Sequence, residues 1–372
     1  MKILFWLSIF CIAYTYFLYP LILTIQSLFI KRPVKKADIE PTVTMIIAAY
    51  NEEDIIRQKL EESLSLDYPK EKLQIIVASD CSTDNMDNIV LSFQDRNVKL
   101  VRQARRLGKT AVQNKAAEIA NGEILLFSDA TTHYEKDVIR KMVRNFADET
   151  VGCVGAKLVF VNKNESQLGK SRNIYWGYEK ALKTSESSLN SLLGVSGCCY
   201  AVRKSIYRDI EPHLISDFVI TWVVFEQGYR SVYEPEAIVY EDILESGRKE
   251  IRMRIRIASR SVIALRKMKR FLNPFKFGFF SFQLISHKLL RYLAPIFMIL
   301  AFVSNLFLLG SEFYRVIFYF QLISLVIGLL SIGKKPIFYP IRYFIIGNFA
   351  SLIGIFRSRD PVGLEIWQPI RK

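Results

Sequence analysis

Short apolar runs alternate with amphipathic segments between residues 42 and 129. The segment Glu52–Leu64 carries apolar side chains at helical spacing and predicts a helix, and a second helix is predicted over Lys109–Ala120. Gly122 follows the second helix, where we expect a left-handed helix cap. Because strands and helices alternate, the pattern predicts an α/β fold with a mostly parallel sheet and right-handed crossovers. The apolar runs that predict its strands are TVTMIIAAY, LQIIVASD, NVKLVRQ and EILLFSD.

Longer apolar stretches lie nearer both ends of the sequence. Ile3–Ile30 is almost free of charge and, at about 1.5 Å per residue, is long enough to cross a bilayer. It has no small-residue cleavage site, so we expect a retained membrane anchor. Leu289–Leu309 and Phe313–Ile332 predict two further spanning helices. Ile337–Phe356 is a weaker candidate because an arginine and an asparagine interrupt it, and we expect a spanning or re-entrant segment there.

Composition and charge are consistent with a membrane protein. Hydrophobic residues make up 51% of the sequence and the formal net charge is +15. Many cations flank the apolar stretches, as the positive-inside rule and attraction to lipid headgroups require, so this explanation is preferred over nucleic-acid binding. We expect a multi-pass protein of the inner (cytoplasmic) membrane, with its central domain in the cytoplasm, which contacts membrane lipid and no nucleic acid. The predicted domains are an anchor over 1–31, a cytosolic domain with a basic interfacial helix over 42–270, and a membrane region over 271–372.

Three polar segments follow apolar strands directly: AAYNEE, SDCSTD and SDATTHY. Each has a structural explanation when taken alone, because Asn, Asp, Ser and Thr favour turns and helix caps. The carboxyl ends of parallel strands meet at one edge of a sheet, where ligands dock in open α/β folds. The three segments together therefore predict a ligand site at that edge. The five cysteines and three histidines show no metal-ligand spacing.

Seven motifs resemble, in order and spacing, those of the family 2 glycosyltransferases. Within that family the sequence is most similar to the membrane-embedded poly-N-acetylglucosamine, hyaluronan and cellulose synthases. The resemblance runs from Thr42 to about Arg270. It implies a nucleotide-sugar-binding domain of GT-A-like fold flanked by transmembrane helices. The motifs are AAYNEE, SDCSTD, GKTAVQN, FSDATT, SGCCYAVRK, SDFVITWVVFEQGYRSVYEPEAIVYED and RMRIR.

The resemblance implies which residues bind the nucleotide-sugar donor. The loop after the first strand and Asp80 would hold the uracil and ribose, since a carboxylate accepts the uracil N3–H and a tyrosine ring packs against the base. Lys109 would lie near that carboxylate and the diphosphate. Arg254 and Arg256 would reach the diphosphate with their planar guanidinium groups. The loop residues are Ala49, Tyr50, Asn51 and Glu52.

Two aspartates carry the chemistry that the resemblance implies. Asp129 matches the first aspartate of the family's Asp-x-Asp motif, which binds a divalent cation, Mg²⁺ or Mn²⁺, on the donor diphosphate. The second position is the neutral Thr131, so Asp129, the phosphates and water would hold the ion. Asp217 matches the general base that removes a proton from the acceptor hydroxyl. The alternative is that Asp217 caps a helix over Phe218–Gln227.

Two further positions depart from the family pattern. Ser216 stands where an acidic residue often precedes the general base, and Ile257 stands where the synthases have a tryptophan that stacks on the acceptor sugar. Tyr175 and Trp176 could stack on sugar instead, or pack in a core.

The sequence therefore predicts an inverting glycosyltransferase that passes a sugar from a nucleotide-sugar, UDP-linked, to a growing glycan or a lipid-linked acceptor. The product would carry a β-glycosidic bond. One alternative is a single transfer onto polyprenyl phosphate or a lipid-linked oligosaccharide. Another is a non-catalytic nucleotide-sugar-binding subunit of a membrane complex. Membrane partner subunits are compatible with the pattern.

Overall fold

A computed structural model of the protein describes residues 1–161, 167–242, 247–330, 339–360, 363, 364 and 366. The side chains of Tyr175 and Trp176 lie outside the described part, and so does their predicted contact with sugar. The chain forms two compact units, each assembled from three stretches. Unit 1 contains Met1–Phe29, Asn162–Leu182 and Leu244–Pro361. Unit 2 contains Ile30–Val161, Lys183–Ile243 and Val362–Lys372.

The described residues form α-helices that we number in chain order. They are α1 (Lys2–Ala13), α2 (Tyr19–Phe29), α3 (Glu53–Leu64), α4 (Met86–Leu91), α5 (Lys109–Glu118), α6 (Val138–Val143), α7 (Gln167–Leu189), α8 (Ser216–Glu226), α9 (Gly247–Lys267), α10 (Pro274–Phe277), α11 (Phe279–Gln283), α12 (Leu290–Leu306), α13 (Glu312–Leu330) and α14 (Tyr339–Arg357). Two π-helical turns, Tyr14–Leu18 and Leu284–Leu289, connect α1 to α2 and α11 to α12.

The described part of unit 2 contains a mixed eight-stranded sheet. Its strands are β1 (Val43–Ala49), β2 (Leu73–Ser79), β3 (Val98–Arg102), β4 (Ile124–Asp129), β5 (His133–Tyr134), β6 (Val151–Val161), β7 (Cys199–Arg203) and β8 (Arg230–Asp242). The strand order is β3-β2-β1-β4-β7-β6-β8-β5. Six strands run in one direction, whereas β7 and β5 run against their neighbours. The predicted α/β class is confirmed, and the sheet is mostly parallel with two reversed strands, β7 and β5, which make it a mixed sheet.

The four strands predicted from apolar runs are present as β1 to β4. Every residue of β1 and β2 is buried, because helices cover both faces of a parallel sheet. In β4, only the last residue, Asp129, is not fully buried. The structure therefore confirms that the buried strand β4 ends in a partly exposed carboxylate.

The strand register aligns the polar tips at one edge of the sheet. Ala48 of β1 pairs with Asp129 of β4, and Ala49 pairs with Ser79 of β2. The predicted meeting of the three polar segments is thus confirmed. Because β7 runs antiparallel to β4, the amino end of β7 reaches the same edge, and Ser128 pairs with Cys199. The loop before β7 is a fourth component that the parallel pattern did not predict.

Gly122 does not form the left-handed cap that we expected, since its φ lies outside the positive region. The reason for a glycine here is a close approach to β1. A Cβ atom at position 122 would lie 2.6 Å from the carbonyl carbon of Val43 and 2.9 Å from Thr44 Oγ1. The Gly122 N–H donates to Thr44 Oγ1 at 2.8 Å.

Unit 1 is helical and packs through small and aromatic residues. A Cβ atom added at Gly354 of α14 would lie 2.6 Å from Ala258 Cβ of α9, so the two helices approach closely. Trp6 Nε1 of α1 donates to Tyr314 Oη of α13 at 3.2 Å. Within the described residues, Lys2–Phe29 and Phe279–Leu306 are long and apolar enough to cross a membrane, by length and composition alone. Spanning by α13 and α14 stays a prediction.

Replacing Gly122 by alanine should lower the free energy of unfolding by about 3 kcal/mol, because the new methyl group meets backbone atoms that cannot move aside cheaply. Thermal unfolding of the purified protein would measure this as a lower midpoint. Asn121→Ala is the matched control, since the Asn121 side chain is exposed and its N–H bond to Gln74 Oε1 (2.9 Å) survives the change. Equal midpoints for the two variants would contradict the close-approach explanation.

Candidate active site

The loops after β1 and β2 are joined by reciprocal hydrogen bonds. Asn51 has a positive φ of 53°, which places its side chain against the neighbouring loop. Its Oδ1 accepts from the Thr83 N–H at 2.8 Å, and its Nδ2 donates to Thr83 Oγ1 at 3.1 Å. The Asp84 carboxylate accepts from the Glu53 N–H at 3.0 Å, and the Glu53 carboxylate accepts from the Asn85 N–H at 2.9 Å. The two loops therefore hold one fixed arrangement.

Asp80 is fully buried at the tip of β2 and organises the segment before α5. Its carboxylate accepts from the Leu107 N–H at 2.8 Å and from the Gly108 N–H at 3.1 and 3.2 Å. Gly108 has a φ of 92°, which glycine adopts without strain. Burial raises the pKa of Asp80, while these N–H groups and the Arg106 charge oppose the increase. Contact of Asp80 with uracil stays a prediction.

Tyr50 is covered on one face by a cation. The guanidinium carbon of Arg106 lies 3.6 Å from the centroid of the Tyr50 ring, a cation–π arrangement. A nucleobase that packs on Tyr50 would therefore use the other face or displace Arg106. The sequence motif did not single out Arg106, although it stands only three residues before Lys109.

The ammonium of Lys109 joins three segments at the sheet edge. It forms an ion pair with Asp129 and donates to the Gly197 carbonyl at 2.9 Å. A Cβ atom at Gly197 would lie 2.9 Å from Asp217 Oδ2 and 3.4 Å from Lys109 Nζ, so Asp217 borders the same point. Burial alone would lower the pKa of Lys109, but the carboxylates of Asp129 and Asp217 outweigh burial and raise it. Lys109 is therefore charged at neutral pH.

Asp217 lies in the first turn of α8, which begins at Ser216 after the N-cap residue Ile215. The alternative that Asp217 caps this helix is therefore wrong. A carboxylate in the first helical turn interacts favourably with the helix dipole.

Hydrogen bonds tie α5 to the segment that carries Asp217. The Thr110 hydroxyl donates to the Leu214 carbonyl at 2.8 Å. The Ser216 hydroxyl donates to Gln113 Oε1 at 2.7 Å, and both residues are buried. Because α5 begins at Lys109, these bonds fix Lys109 and Asp217 in one framework. Ser216 stands where the family often has an acidic residue, and here its hydroxyl links α8 to α5.

The residues at the β4 tip suit a hard divalent cation only in part. The Asp129 carboxylate is about one-third exposed and its partner is already a positive charge, the Lys109 ammonium. Thr131 adds a neutral hydroxyl two residues later. In the described part of the chain no group of three or more His, Cys, Asp or Glu residues could hold a metal. The donor set thus fits a cation that takes its remaining oxygen ligands from phosphate and water.

The other predicted donor-binding residues have these places. Ala49 ends β1 and its carbonyl accepts from the Asp80 N–H at 3.0 Å, while Glu52 lies directly before α3. Arg254 and Arg256 lie on α9 in unit 1, whereas the rest of the predicted site belongs to unit 2. The Arg254 guanidinium lies 4.1 Å from the centroid of the Tyr343 ring. Binding of diphosphate by the two arginines stays a prediction.

The central segment is similar to known glycosyltransferases. The family model described as "Glycosyl transferase family 2" matches residues 44–211. A probable glycosyltransferase of Bacillus subtilis, YdaM, is 29% identical over 229 residues, which are 59% of this chain and 54% of the relative. The poly-beta-1,6-N-acetyl-D-glucosamine synthase of Staphylococcus aureus is 29% identical over 217 residues, which are 56% of this chain and 52% of the relative. The matched region spans about half the length of these relatives.

A solved structure shares the fold across nearly the whole chain. The mannosyltransferase PcManGT from Pyrobaculum calidifontis, in complex with GDP-Man and Mn²⁺, superposes with a TM-score of 0.71 at 21% identity. The match covers 96% of this chain and 99% of the other. The predicted GT-A-like fold is thereby confirmed.

Replacing Gly197 by alanine should displace Asp217 and Lys109, because the added methyl group would lie 2.9 Å from Asp217 Oδ2. We expect nucleotide release from a nucleotide-sugar to fall by about 100-fold, as a shift of 1 Å in reacting groups can cost that much. The thermal midpoint should change little, since the displaced atoms are side-chain ends. Ser196→Ala, which adds no atom, is the control. Wild-type turnover by Gly197→Ala would contradict this geometry.

Proposed function

Because residues 44–211 match the family 2 glycosyltransferase model, we propose that the protein transfers a sugar from a nucleotide-sugar to an acceptor hydroxyl with inversion at the anomeric carbon. The observation that carries this proposal is the meeting of Lys109, Asp129 and Asp217 at the edge of the sheet. One cation and two carboxylates there provide a diphosphate-binding side and a proton-accepting side.

Asp217 acts as the general base. Its carboxylate takes the proton of the acceptor hydroxyl as that oxygen bonds to the anomeric carbon and the bond to the diphosphate breaks. Direct displacement from the face opposite the diphosphate inverts the centre, so an α-linked donor gives a β-glycoside. The Lys109 ammonium offsets negative charge on the leaving diphosphate.

Asp129, together with the donor phosphates, would hold a divalent cation, Mg²⁺ or Mn²⁺. When bound, it neutralises charge that develops on the departing nucleotide diphosphate. The solved mannosyltransferase contains Mn²⁺, which supports a divalent cation as the cofactor. The Asp129 carboxylate would then interact with the cation as well as with the Lys109 ammonium.

The donor is a nucleotide-sugar, with UDP as the preferred nucleotide. The two loops that would hold the nucleoside contain Tyr50, Asn51, Glu52 and Asp80. The synthase relatives support a growing glycan as acceptor. Because the solved mannosyltransferase is in complex with GDP-Man, GDP-sugars should be tested beside UDP-sugars as donors. The two apolar helices of unit 1 support attachment to the cytoplasmic membrane, with the catalytic unit on the cytoplasmic side.

A single transfer to a lipid-linked acceptor is the second candidate. It is favoured by Ile257, which is 43% exposed on α9 and provides no aromatic surface for a sugar chain. The length of the product made by purified protein, resolved on a gel, distinguishes the two candidates. A ladder of products supports polymer synthesis, and one product band supports single transfer.

Asp217→Asn should abolish nucleotide release while the affinity for nucleotide-sugar stays within about twofold, because a general base contributes 10²- to 10⁴-fold to rate. A coupled assay of nucleotide release over a panel of UDP- and GDP-sugars measures the rate, and calorimetry measures donor affinity. Asp209→Asn, an exposed Asp-to-Asn change in unit 2, is the control. Full turnover by Asp217→Asn would remove Asp217 from its proposed role.

Chelation of divalent cations should stop nucleotide release, and added Mn²⁺ or Mg²⁺ should restore it. Asp129→Asn should raise the cation concentration needed for half-maximal rate by roughly 10-fold or more, because one anionic ligand of a hard ion is lost. The same cation titration on wild-type protein provides the reference. A rate that chelator does not change would contradict a role for a metal and would leave Lys109, Arg254 and Arg256 to offset the charge of the diphosphate.

A further inference from the structure

The turn that carries Asp129 is held by bonds along its own backbone. The Thr132 N–H donates to the Asp129 carbonyl at 3.3 Å, which closes the turn. The Asp129 N–H faces the Cys198 carbonyl at 3.4 Å. Thr132 is fully buried, and its hydroxyl donates to Glu241 Oε1 at 3.3 Å. The direction of the Asp129 carboxylate therefore depends on how Thr132 is seated.

Lys59 of α3 contacts this turn at the Thr132 carbonyl. Its side chain is buried, with 2% exposure, and its ammonium donates to the Thr132 carbonyl. The ammonium also lies 3.8 Å from the centroid of the Tyr134 ring. Burial lowers the pKa of Lys59 to about 7, while nearby carboxylates, Glu62 first among them, oppose the decrease.

Glu62 holds the outgoing side of the same turn. It lies three residues after Lys59, so both side chains share one face of α3. Its carboxylate accepts from the Tyr134 N–H at 2.8 Å and contacts His133 Nδ1 at 2.9 Å. The Tyr134 hydroxyl bonds to the Ser128 hydroxyl, one residue before Asp129. Helix α3 thus holds the Thr132 carbonyl and the two residues that follow it.

Burying the ammonium of Lys59 costs free energy of desolvation. Removing a charge from water costs free energy that packing alone does not return, and an apolar side chain of similar length would pack at least as well. The compensating feature is the Thr132 carbonyl, which Lys59 satisfies and a methionine could not. Lys59 is therefore suited to fixing one backbone conformation next to Asp129.

We propose that Lys59 is a positioning residue, supported by Glu62, which fixes the Asp129–Tyr134 turn so that Asp129 faces the donor diphosphate and its cation. The role of Asp129 in this statement rests on the proposed function. The contacts by which α3 holds the turn do not depend on that function.

The first test is amide hydrogen exchange on the full-length protein in detergent. In Lys59→Met, peptides covering 129–134 should exchange faster than in wild type, because the Thr132 carbonyl loses its donor and the turn loosens. Arg57→Met is the matched control, since Arg57 lies on the exposed face of the same helix. Unchanged exchange over 129–134 in Lys59→Met would overturn the proposal.

The second test measures cation dependence of nucleotide release. Lys59→Met should raise the cation concentration for half-maximal rate roughly 10- to 100-fold, the usual cost of losing a residue that orients a metal ligand. KM for the acceptor should stay near its wild-type value, and Lys59→Arg should recover part of the loss. An unchanged cation requirement, or an equal loss in Arg57→Met, would count against the proposal.

The two tests also separate this proposal from the proposed function. If wild-type protein releases no nucleotide from any donor in the panel, the proposed function fails. Hydrogen exchange in Lys59→Met and Glu62→Gln still decides whether α3 fixes the turn. Faster exchange over 129–134 in both variants supports the positioning role, and wild-type exchange in both refutes it.

Discussion

A charged, partly buried lysine that interacts with two carboxylates is the interaction on which the site depends. Lys109 balances Asp129 from the sheet and Asp217 from α8, and it also bonds to the Gly197 carbonyl. Without the ammonium, the two carboxylates would repel each other. Asp80, which fixes the backbone just before Lys109, and Ser216, which ties α8 to α5, both serve to place this one cation.

The sequence predicted the elements whose signals are local. Runs such as LQIIVASD mark strands that are buried on both faces, and their polar ends mark the edge where Ala48 and Asp129 pair. The reversal of β7 was not predictable from the same pattern, because an apolar run carries no information about direction. Gly122 shows a similar limit, since its requirement comes from Val43 and Thr44, nearly eighty residues earlier.

At the site, family resemblance identified residues with distinctive chemistry, and it missed those that act through position. Asp129, Lys109 and Asp217 come together as the motifs imply, although their roles in binding and catalysis stay predictions. Gly197 stood in a quoted motif, but a missing side chain gives no chemical signal. Lys59 looked like an ordinary helix lysine, because only the folded chain reveals that its ammonium meets the Thr132 carbonyl.

The division of the chain has a practical consequence for protein production. The boundary between the units falls within α7, whose residues up to Leu182 belong to one unit and from Lys183 to the other. Trimming the two ends of the gene therefore cannot yield an isolated catalytic fragment. A separate version of unit 2 would need an internal excision with a designed bridge, and any such deletion must preserve the last turns of that shared helix.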